Sequence, residues 1–122
     1  MLKKILIVDD EPDLLAVTVA RLETSGYEVL QAASSEEALE VLKKNKPDLI
    51  LLDLLLPDMQ GGTLCKQLKA DPEFKQIPII IFTASIIRIP EKIIEMGADA
   101  YILKPFEPAD LLFKIKEFTG GS

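Results

Sequence analysis

Four short apolar runs alternate along the chain with stretches of helical periodicity. The runs are residues 5–8, 49–52, 79–82 and 101–103, and residues 28–32 form a fifth, more polar run that is typical of an edge strand. Continuous apolar strands separated by amphipathic helices are typical of a parallel sheet covered by helices on both faces. Because crossovers in such sheets are short and right-handed, the pattern predicts one α/β domain of five βα units.

Start and stop signals bound the five helices. Prolines and a capping box mark predicted starts, and glycines follow predicted ends. The predicted helices run from Pro12 to Ser25, from the capping box Ser34-x-x-Glu37 to Lys44, from just after Gly61-Gly62 to the break at Asp71-Pro72, up to Met96-Gly97, and from Pro108 to Gly120-Gly121. In the fourth helix, Pro90 is expected to delay the start.

Polar side chains follow four of the predicted strands. Asp9 and Asp10 come directly after the first run, Asp53 after the third, and Thr83 and Lys104 after the fourth and fifth. Because the carboxyl ends of parallel strands meet at one edge of the sheet, these groups are expected to lie together. Three carboxylates, a hydroxyl and an ammonium suit a divalent metal ion and a phosphoryl group.

The composition narrows the classes of function. The chain has 122 residues, a 48% apolar share and no apolar run near the roughly 20 residues that span a bilayer, so one domain without membrane contact is expected. No signal-peptide pattern is present, and the expected location is the cytoplasm. A formal net charge of −6 argues against direct binding to nucleic acid, and the absence of histidine removes histidine-based metal sites and hydrolytic triads.

Two further residues have no predicted role in the site. Asp48 stands at the start of the third strand, behind Pro47, and is expected at the opposite pole of the sheet. Cys65 lies in a helical stretch between Leu64 and Leu68, which indicates a small packing residue rather than a reactive thiol.

Four short motifs close the strands in order along the chain. They are Val8-Asp9-Asp10-Glu11, Leu52-Asp53-Leu54-Leu55-Leu56-Pro57-Asp58-Met59-Gln60-Gly61, Phe82-Thr83-Ala84 and Leu103-Lys104-Pro105-Phe106. In these motifs the chain resembles the receiver domain of bacterial response regulators, and the resemblance covers nearly all of residues 1–122. It implies a flavodoxin-like (βα)5 three-layer sandwich with strand order 2-1-3-4-5.

The resemblance also implies a phosphorylation site. It makes Asp53 the phosphoacceptor, supplied by a histidine kinase or a histidine phosphotransfer protein. It implies that Asp9, Asp10, Asp53 and the main-chain carbonyl of Leu55 hold Mg²⁺, with Mn²⁺ as an alternative. Carboxylates about 4 Å apart repel by roughly 4 kcal/mol at an effective dielectric near 20, so such a cluster is expected to have raised pKa values or to recruit a cation. The protein would then be no enzyme but an acceptor that assists its own phosphorylation and dephosphorylation.

The remaining implied roles concern the response to phosphorylation. Thr83 and Lys104 would contact the phosphoryl oxygens, and Thr83 and Tyr101 would form the switch. The Lys104-Pro105 peptide bond is expected to be cis. A downstream protein would bind the face of the fourth helix, fifth strand and fifth helix, and the protein is expected to be a monomer or a weak dimer.

Simpler interpretations stand beside these roles. Asp10 or Glu11 could cap the first helix, Thr83 could be an ordinary strand residue, and Tyr101 could be a half-buried aromatic. At the level of function, the alternatives are a phosphorylation-independent interaction module, a Mg²⁺-dependent phosphohydrolase with an aspartate nucleophile, and a flavodoxin-like FMN carrier. The phosphohydrolase would want an acid at position 55, and the acids after the first strand would repel an FMN phosphate.

Two segments outside the motifs carry open expectations. Ile86, Ile87 and Ile89 make the loop after the fourth strand unusually apolar, and they either pack onto the sheet or form a partner surface. Residues 119–122 are expected to be a flexible tail that leaves no room for an output domain. The chain would then be a stand-alone regulator or a receiver from a longer protein.

Overall fold

The computed structural model describes residues 2–54, 56, 61–84 and 89–120, apart from the side chains at 61, 89, 90 and 92. Strands and helices alternate along these residues, as the apolar runs predict. The elements are β1 Lys4–Val8, α1 Pro12–Thr24, β2 Glu28–Ala32, α2 Ser35–Lys44, β3 Leu49–Leu52, α3 Gly61–Lys69, β4 Ile79–Thr83, α4 Ile89–Met96, β5 Ala100–Leu103 and α5 Pro108–Thr119.

The five strands form one parallel sheet in the order β2-β1-β3-β4-β5. This confirms the α/β class, the parallel sheet and the 2-1-3-4-5 order. The last residues of β1 and β3 are register partners, Val8 with Leu52, and Thr83 at the end of β4 pairs with Leu103. The residues that follow these strands therefore begin side by side at one edge of the sheet.

Alternate strand residues enter two separate cores, one on each face of the sheet. Leu6, Ile50 and Ile81 belong to a cluster that includes side chains of α2, α3 and α4. Their neighbours Ile7 and Leu51 belong to a second cluster with side chains of α1 and α5. Because every residue of β3 and β4 is buried, these strands are covered on both faces, which explains their unbroken apolar sequence.

The predicted capping box opens α2. The backbone N–H of Glu37 donates to the Ser34 hydroxyl at 3.1 Å, and the Glu37 carboxylate accepts from the N–H of Ala33 at 3.2 Å. Lys43 and Lys44 close the helix at its negative end. The local sequence is sufficient to define this helix because both of its ends are satisfied by nearby residues.

Two helix boundaries and the predicted start of the tail differ slightly from the structure. Helix α1 ends at Thr24, one residue early, and Gly26 follows with a φ of 96° that favours glycine. Helix α3 begins at Gly61 rather than after the glycine pair. Thr119 is the last residue of α5 and donates its hydroxyl to the carbonyl of Ile115 at 3.0 Å, so the predicted tail does not begin at 119.

Helix α4 begins at Ile89, with Pro90 in its first turn, where a missing N–H leaves no helical bond unmade. Ile86 and Ile87 lie outside the described residues, as does the side chain of Ile89, so their placement in the core or at an interface stays a prediction. None of the helices in the described part of the chain has the length and apolar character needed to cross a bilayer.

Two aspartates at the amino ends of the strands have structural partners. The Asp48 carboxylate accepts the N–H of Lys4 at 2.8 Å, which confirms its position at the pole opposite the predicted site. The Asp99 carboxylate accepts the N–H of Ile79 at 2.8 Å and pairs with Lys69 at 2.8 Å. These contacts hold the first residues of β1 and β4 in place, so both acids have a structural role.

Cys65 is fully buried in the core between α3 and the sheet. Burial raises the pKa of its thiol to about 11, although the charge of Lys69 acts in the opposite direction. A thiol with this pKa stays protonated near neutral pH and is a poor nucleophile. The predicted packing role is therefore confirmed.

Tyr27 offers a test of the core on the α1 and α5 side. Its side chain is 2% exposed, and its hydroxyl has no hydrogen-bond partner among the described residues. Because a buried hydroxyl without a partner is destabilising, we expect Tyr27→Phe to keep or raise the free energy of unfolding, by up to about 1 kcal/mol. Urea denaturation against wild type measures this, and a loss above about 1 kcal/mol would show that the hydroxyl is bonded in solution.

Candidate functional site

The carboxyl edge of the sheet gathers polar residues from four strands. Backbone bonds continue the ladder past the strand ends, since Asp53 N–H donates to the carbonyl of Val8 at 3.0 Å and Asp9 N–H to that of Ala32 at 3.0 Å. Lys104 N–H likewise donates to the Thr83 carbonyl at 2.8 Å. These backbone hydrogen bonds therefore fix the positions of the site residues independently of their side-chain contacts.

The ammonium group of Lys104 lies at the centre of this edge. Its Nζ atom is 3.0 Å from Asp9 Oδ2, 3.1 Å from Asp53 Oδ2 and 3.2 Å from Glu11 Oε1. The side chains of Asp9 and Asp53 are 0% and 6% exposed, and that of Lys104 is 8% exposed, whereas Glu11 faces solvent. One cation thus joins two buried carboxylates that originate from different strands.

Opposing effects act on the pKa of Lys104. Burial favours the neutral amine and would lower it, but the hydrogen bond to Asp9 and the charge and hydrogen bond of Asp53 outweigh burial and raise the pKa above its ordinary value of 10.5. Because the folded-state pKa is raised, the ion pairs contribute fully below the ordinary lysine pKa and are lost only as the pH rises through the raised value. The lysine is therefore charged at neutral pH.

Three carboxylates in the site have the geometry of a cation-binding cluster. Asp9, Asp10 and Asp53 each offer an oxygen, and these oxygens all lie within 4.8 Å of one another. Asp9 and Asp53 are buried, while Asp10 is exposed and leaves one side of the cluster open to solvent. With Glu11 and Lys104 included, the formal charge of these five groups is −3. The arrangement therefore favours an additional divalent cation.

Thr83 and Tyr101, the two predicted switch residues, lie on the adjacent strands β4 and β5. Thr83 is fully buried at the end of β4, and Tyr101 is half-buried against the core on the α2, α3 and α4 face. The peptide bond between Lys104 and Pro105 is cis, the geometry that the resemblance implies. Leu55, whose carbonyl is an implied metal ligand, lies outside the described residues.

The structure adds two residues that sequence reasoning did not assign to the site. Glu11 is the N-cap residue of α1, but its side chain makes no capping bond and instead reaches Lys104. Phe82, one residue before Thr83, has its ring centroid 4.7 Å from Lys104 Nζ. A cation–π contact of this kind stabilises the ammonium from the apolar side. The sequence indicated this role of Glu11 only through its position directly after Asp9 and Asp10.

Asp9 also organises the turn that follows β1. Its Oδ1 atom accepts the N–H of Glu11 at 3.0 Å, while its Oδ2 atom accepts from Lys104. The carboxylate is therefore held at both oxygens, one by the main chain of the turn and one by the cation. The bond from the N–H of Glu11 forms an Asx-type turn that leads into α1, and Glu11, the N-cap residue, makes no side-chain capping bond of its own.

Comparison with solved structures shows the same fold in a response regulator and in the receiver domain of a sensor histidine kinase. A putative response regulator from Chloroflexus aurantiacus is similar with a TM-score of 0.93 and 40% identity, covering 98% of this chain and 99% of that one. The receiver domain of the sensor histidine kinase PA1611 from Pseudomonas aeruginosa is similar with a TM-score of 0.90 and 29% identity, covering 99% and 100%. That structure is described as having a magnesium ion coordinated in its active-site cleft.

Sequence comparison agrees with the structural similarity. The phosphate regulon transcriptional regulatory protein PhoB of Pseudomonas aeruginosa is 45% identical over 116 residues, which are 93% of this chain and 50% of that protein. The chain spans about half the length of the curated relatives it matches. The family model for the response regulator receiver domain matches residues 5–116. The chain therefore belongs to the response regulator receiver domain family of two-component phosphorelay signalling.

Proposed function

We propose that Asp53 is the phosphoacceptor of this receiver domain. The observation that carries the proposal is the convergence of Asp9, Asp10, Asp53 and Lys104 at the carboxyl edge of the sheet. Asp53 lies beside β1 through its backbone bond to Val8, and Lys104 holds its Oδ2 atom. The carboxylate is therefore oriented toward the acids that follow β1 and toward the open side at Asp10.

Phosphoryl transfer to Asp53 requires only one bond to form and one to break. A carboxylate oxygen attacks the phosphorus atom of a phosphohistidine, the new O–P bond forms, and the N–P bond breaks. The imidazole leaves with the electron pair of that bond and accepts a proton. In such a transfer the protein contributes mainly positioning and charge stabilisation. The product is an acyl phosphate on Asp53.

The acidic cluster fits Mg²⁺, with Mn²⁺ as an alternative. Three oxygens within 4.8 Å of one another, from carboxylates only, match the ligand preference of these hard cations. We propose Asp9, Asp10 and Asp53 as side-chain ligands, and the carbonyl of Leu55 as a main-chain ligand on the basis of the resemblance. When bound, the metal would neutralise charge on the carboxylates and on the phosphoryl oxygens.

Lys104 and Thr83 are proposed to contact the phosphoryl group once it is attached. The acyl phosphate adds negative charge and strong acceptor oxygens next to the carboxylate that Lys104 already contacts at 3.1 Å. Thr83 ends the neighbouring strand β4, so its hydroxyl can donate from the adjacent position. A neutral hydrogen bond contributes about 1 kcal/mol and a charge-assisted one about 1.5 to 3 kcal/mol. Together they favour the active arrangement by a few kcal/mol.

This energy would shift the equilibrium toward the active state strongly but not completely. Moving an equilibrium from 1:99 to 99:1 takes about 5.5 kcal/mol, so a partner would supply the remainder. We propose that Tyr101 responds to the movement of Thr83, because β4 and β5 are paired from Ile80 to Thr83. The face formed by α4, β5 and α5 would then present the change to a downstream protein.

The proposed partners are a histidine kinase or a histidine phosphotransfer protein and a downstream protein. The chain would act as a phosphoacceptor and not as an enzyme that turns over external substrates, since position 55 is leucine where a phosphohydrolase would want an acid. A phosphorylation-independent interaction module is the weaker alternative, because the acids and the lysine of an acceptor site are brought together. The formal charge of −6 disfavours direct contact with nucleic acid.

The first test is the intact mass of the protein after incubation with acetyl phosphate, with and without Mg²⁺. We expect a gain of one phosphoryl group in wild type with Mg²⁺ and no gain in Asp53→Ala. Asp48→Asn serves as the matched control, because Asp48 lies at the opposite pole, and should gain the group like wild type. Phosphorylation of Asp53→Ala to the wild-type extent would contradict the assignment, as would no gain in wild type with either acetyl phosphate or a phosphorylated histidine protein.

The second test removes the ammonium group of Lys104. In Lys104→Met the buried carboxylates of Asp9 and Asp53 lose their common partner, so the free energy of unfolding without Mg²⁺ should fall by about 2 kcal/mol. Mg²⁺ should stabilise this variant more than wild type, because the ammonium no longer competes for the same oxygens. Urea denaturation with EDTA and with excess MgCl₂ measures both effects.

The control for this test is Lys43→Met on α2. Lys43 forms an exposed pair with Glu40 at 2.9 Å, and both side chains are more than 60% exposed. Such a pair contributes between 0 and about 1 kcal/mol, so the variant should unfold like wild type with or without Mg²⁺. Equal Mg²⁺ stabilisation of Lys104→Met and wild type would argue against competition between Lys104 and the metal.

The third test separates phosphorylation from switching. Thr83→Ala should accept the phosphoryl group as wild type does, but the loss of about 1 kcal/mol should lower the ratio of active to inactive protein about fivefold. Chemical shifts of Tyr101 in phosphorylated protein measure that population. Thr83→Ser keeps the hydroxyl and should behave like wild type. If phosphorylated Thr83→Ala shows the same Tyr101 chemical shifts as wild type, Thr83 takes no part in the switch.

A further inference from the structure

All three donors of the Lys104 ammonium are engaged in the structure. An ammonium offers three N–H groups. They donate to Asp9 Oδ2 at 3.0 Å, to Asp53 Oδ2 at 3.1 Å and to Glu11 Oε1 at 3.2 Å. The ring of Phe82 covers the ammonium from the apolar side, with its centroid 4.7 Å from Nζ. A phosphoryl oxygen on Asp53 can therefore receive a hydrogen bond from Lys104 only when one of the present acceptors leaves.

The three acceptors differ in how easily they can leave the ammonium. The Asp9 side chain is fully buried and its other oxygen accepts the N–H of Glu11 at 3.0 Å, so its departure would leave a buried charge unpaired. Asp53 carries the incoming phosphoryl group and stays beside it. The Glu11 side chain is 61% exposed, and water can solvate its carboxylate when the ion pair opens. Glu11 is therefore the acceptor that can be exchanged.

Phosphorylation itself would act against the contact of Glu11 with Lys104. A phosphoryl group carries a charge of about −1.5 to −2 near neutral pH, where the free carboxylate carried −1. Oxygens of Asp53 and Glu11 contact the same nitrogen atom, so the added charge arises close to the Glu11 carboxylate and repels it. Phosphoryl oxygens are also strong acceptors for an ammonium donor. Both effects favour transfer of the third N–H from Glu11 to the phosphoryl group.

The surroundings of Glu11 give its side chain room to turn away. Glu11 and Lys104 both line a groove of about 400 Å³ between α1 and Pro105. The main chain of Glu11 is held on both sides, because its N–H donates to Asp9 at 3.0 Å and its carbonyl accepts the N–H of Leu15 at 2.9 Å. Release from the ammonium therefore requires only a rotation of the Glu11 side chain toward this groove.

We propose that Glu11 is a positioning residue for the phosphorylation of Asp53. In the unphosphorylated protein it occupies the third N–H of Lys104, and on phosphorylation it releases that N–H to a phosphoryl oxygen. This inference rests on the proposed role of Asp53 and adds that one exposed acid sets how readily Lys104 engages the phosphoryl group. Glu11 acts through Lys104 rather than on the phosphoryl group.

The start of α5 offers a matched control for Glu11. Glu107 is the N-cap residue of α5, as Glu11 is of α1, and a proline follows each of them at the start of the helix. Both side chains are exposed, and neither makes a capping bond. In the part of the chain that the structure describes, Lys104 contacts Glu11 and not Glu107. Replacing Glu107 therefore removes the same charge from the same helix position without freeing a donor.

The first experiment measures the rate of phosphorylation by acetyl phosphate, from intact mass, over a range of Mg²⁺ concentrations. Glu11→Ala frees the third N–H of Lys104 in advance, so the maximal rate at saturating Mg²⁺ should rise about two- to fivefold, as expected for the loss of an exposed ion pair that competes with the reaction. The Mg²⁺ concentration at half-maximal rate should not fall, because the variant has lost a negative charge beside the acids. Glu107→Ala should match wild type in both quantities. An unchanged or lower maximal rate in Glu11→Ala would overturn the proposal.

A conservative variant separates the contact from the charge. Glu11→Asp keeps the negative charge but shortens the side chain by one methylene, so the carboxylate no longer reaches the ammonium that Glu11 contacts at 3.2 Å. If the contact with Lys104 matters, the maximal rate of this variant should resemble that of Glu11→Ala. A wild-type rate in Glu11→Asp would show that only the charge at position 11 acts, and would overturn the proposed exchange.

The second experiment observes the release of Glu11 through the carboxyl ¹³C signals of the glutamates. In wild type with Mg²⁺, addition of acetyl phosphate should move the Glu11 signal toward that of the exposed Glu107, which should itself stay in place. Lys104→Met without acetyl phosphate gives the signal of a Glu11 carboxylate that has lost the ammonium, and the phosphorylated wild type should approach it.

Intact mass on the same samples keeps this inference separate from the proposed function. An unmoved Glu11 signal in protein that has gained one phosphoryl group would reject the exchange and keep Asp53 as the acceptor. If wild type gains no phosphoryl group from acetyl phosphate or from a phosphorylated histidine protein, the proposed function fails and the exchange fails with it. In that case a Glu11 signal that moves in Lys104→Met would still establish the contact between the two side chains.

Discussion

The arrangement of this domain depends on a shared cation at the carboxyl edge of its sheet. Asp9 and Asp53 bring two buried carboxylates together from neighbouring strands, and Lys104 from the edge strand contacts both at 3.0 and 3.1 Å. Unpaired carboxylates at such a place would repel one another and lack solvation. The ammonium relieves this for the buried pair, but it leaves the cluster with excess negative charge. That excess favours a divalent cation at this edge of the sheet.

The rest of the fold keeps these groups at fixed distances. The central strands are buried on both faces, and alternate residues such as Leu51 and Leu52 enter different cores. A rotation or slip of one strand would move apolar side chains in both cores at once. Backbone bonds from Asp53 to Val8 and from Lys104 to Thr83 extend this rigidity one residue beyond the strands. The site residues are therefore held in place by the hydrogen-bonded main chain of the sheet.

Strand β5 connects this chemistry to the molecular surface. As an edge strand it is covered less completely than β3 and β4, and it carries Tyr101, Leu103 and then Lys104 within four residues. A groove between β5 and α5 is therefore lined by residues that lie one to three positions before Lys104 along the chain. The proposed phosphorylation of Asp53 would therefore act only a few residues away from the molecular surface.

Sequence by itself determined the order of strands and helices, the capping of α2 at Ser34, the burial of Cys65 and the edge at which Asp9 and Asp53 meet, because apolar periodicity and strand ends are local features. The position of Lys104 after the fifth strand already placed its ammonium in the cluster, but only the tertiary structure decided that Glu11 reaches it. Glu11 and Lys104 are 93 residues apart in sequence, yet their charged groups are 3.2 Å apart. Such a contact depends on how the start of α1 and the segment after β5 meet at the carboxyl edge of the sheet, and no local pattern encodes that distance.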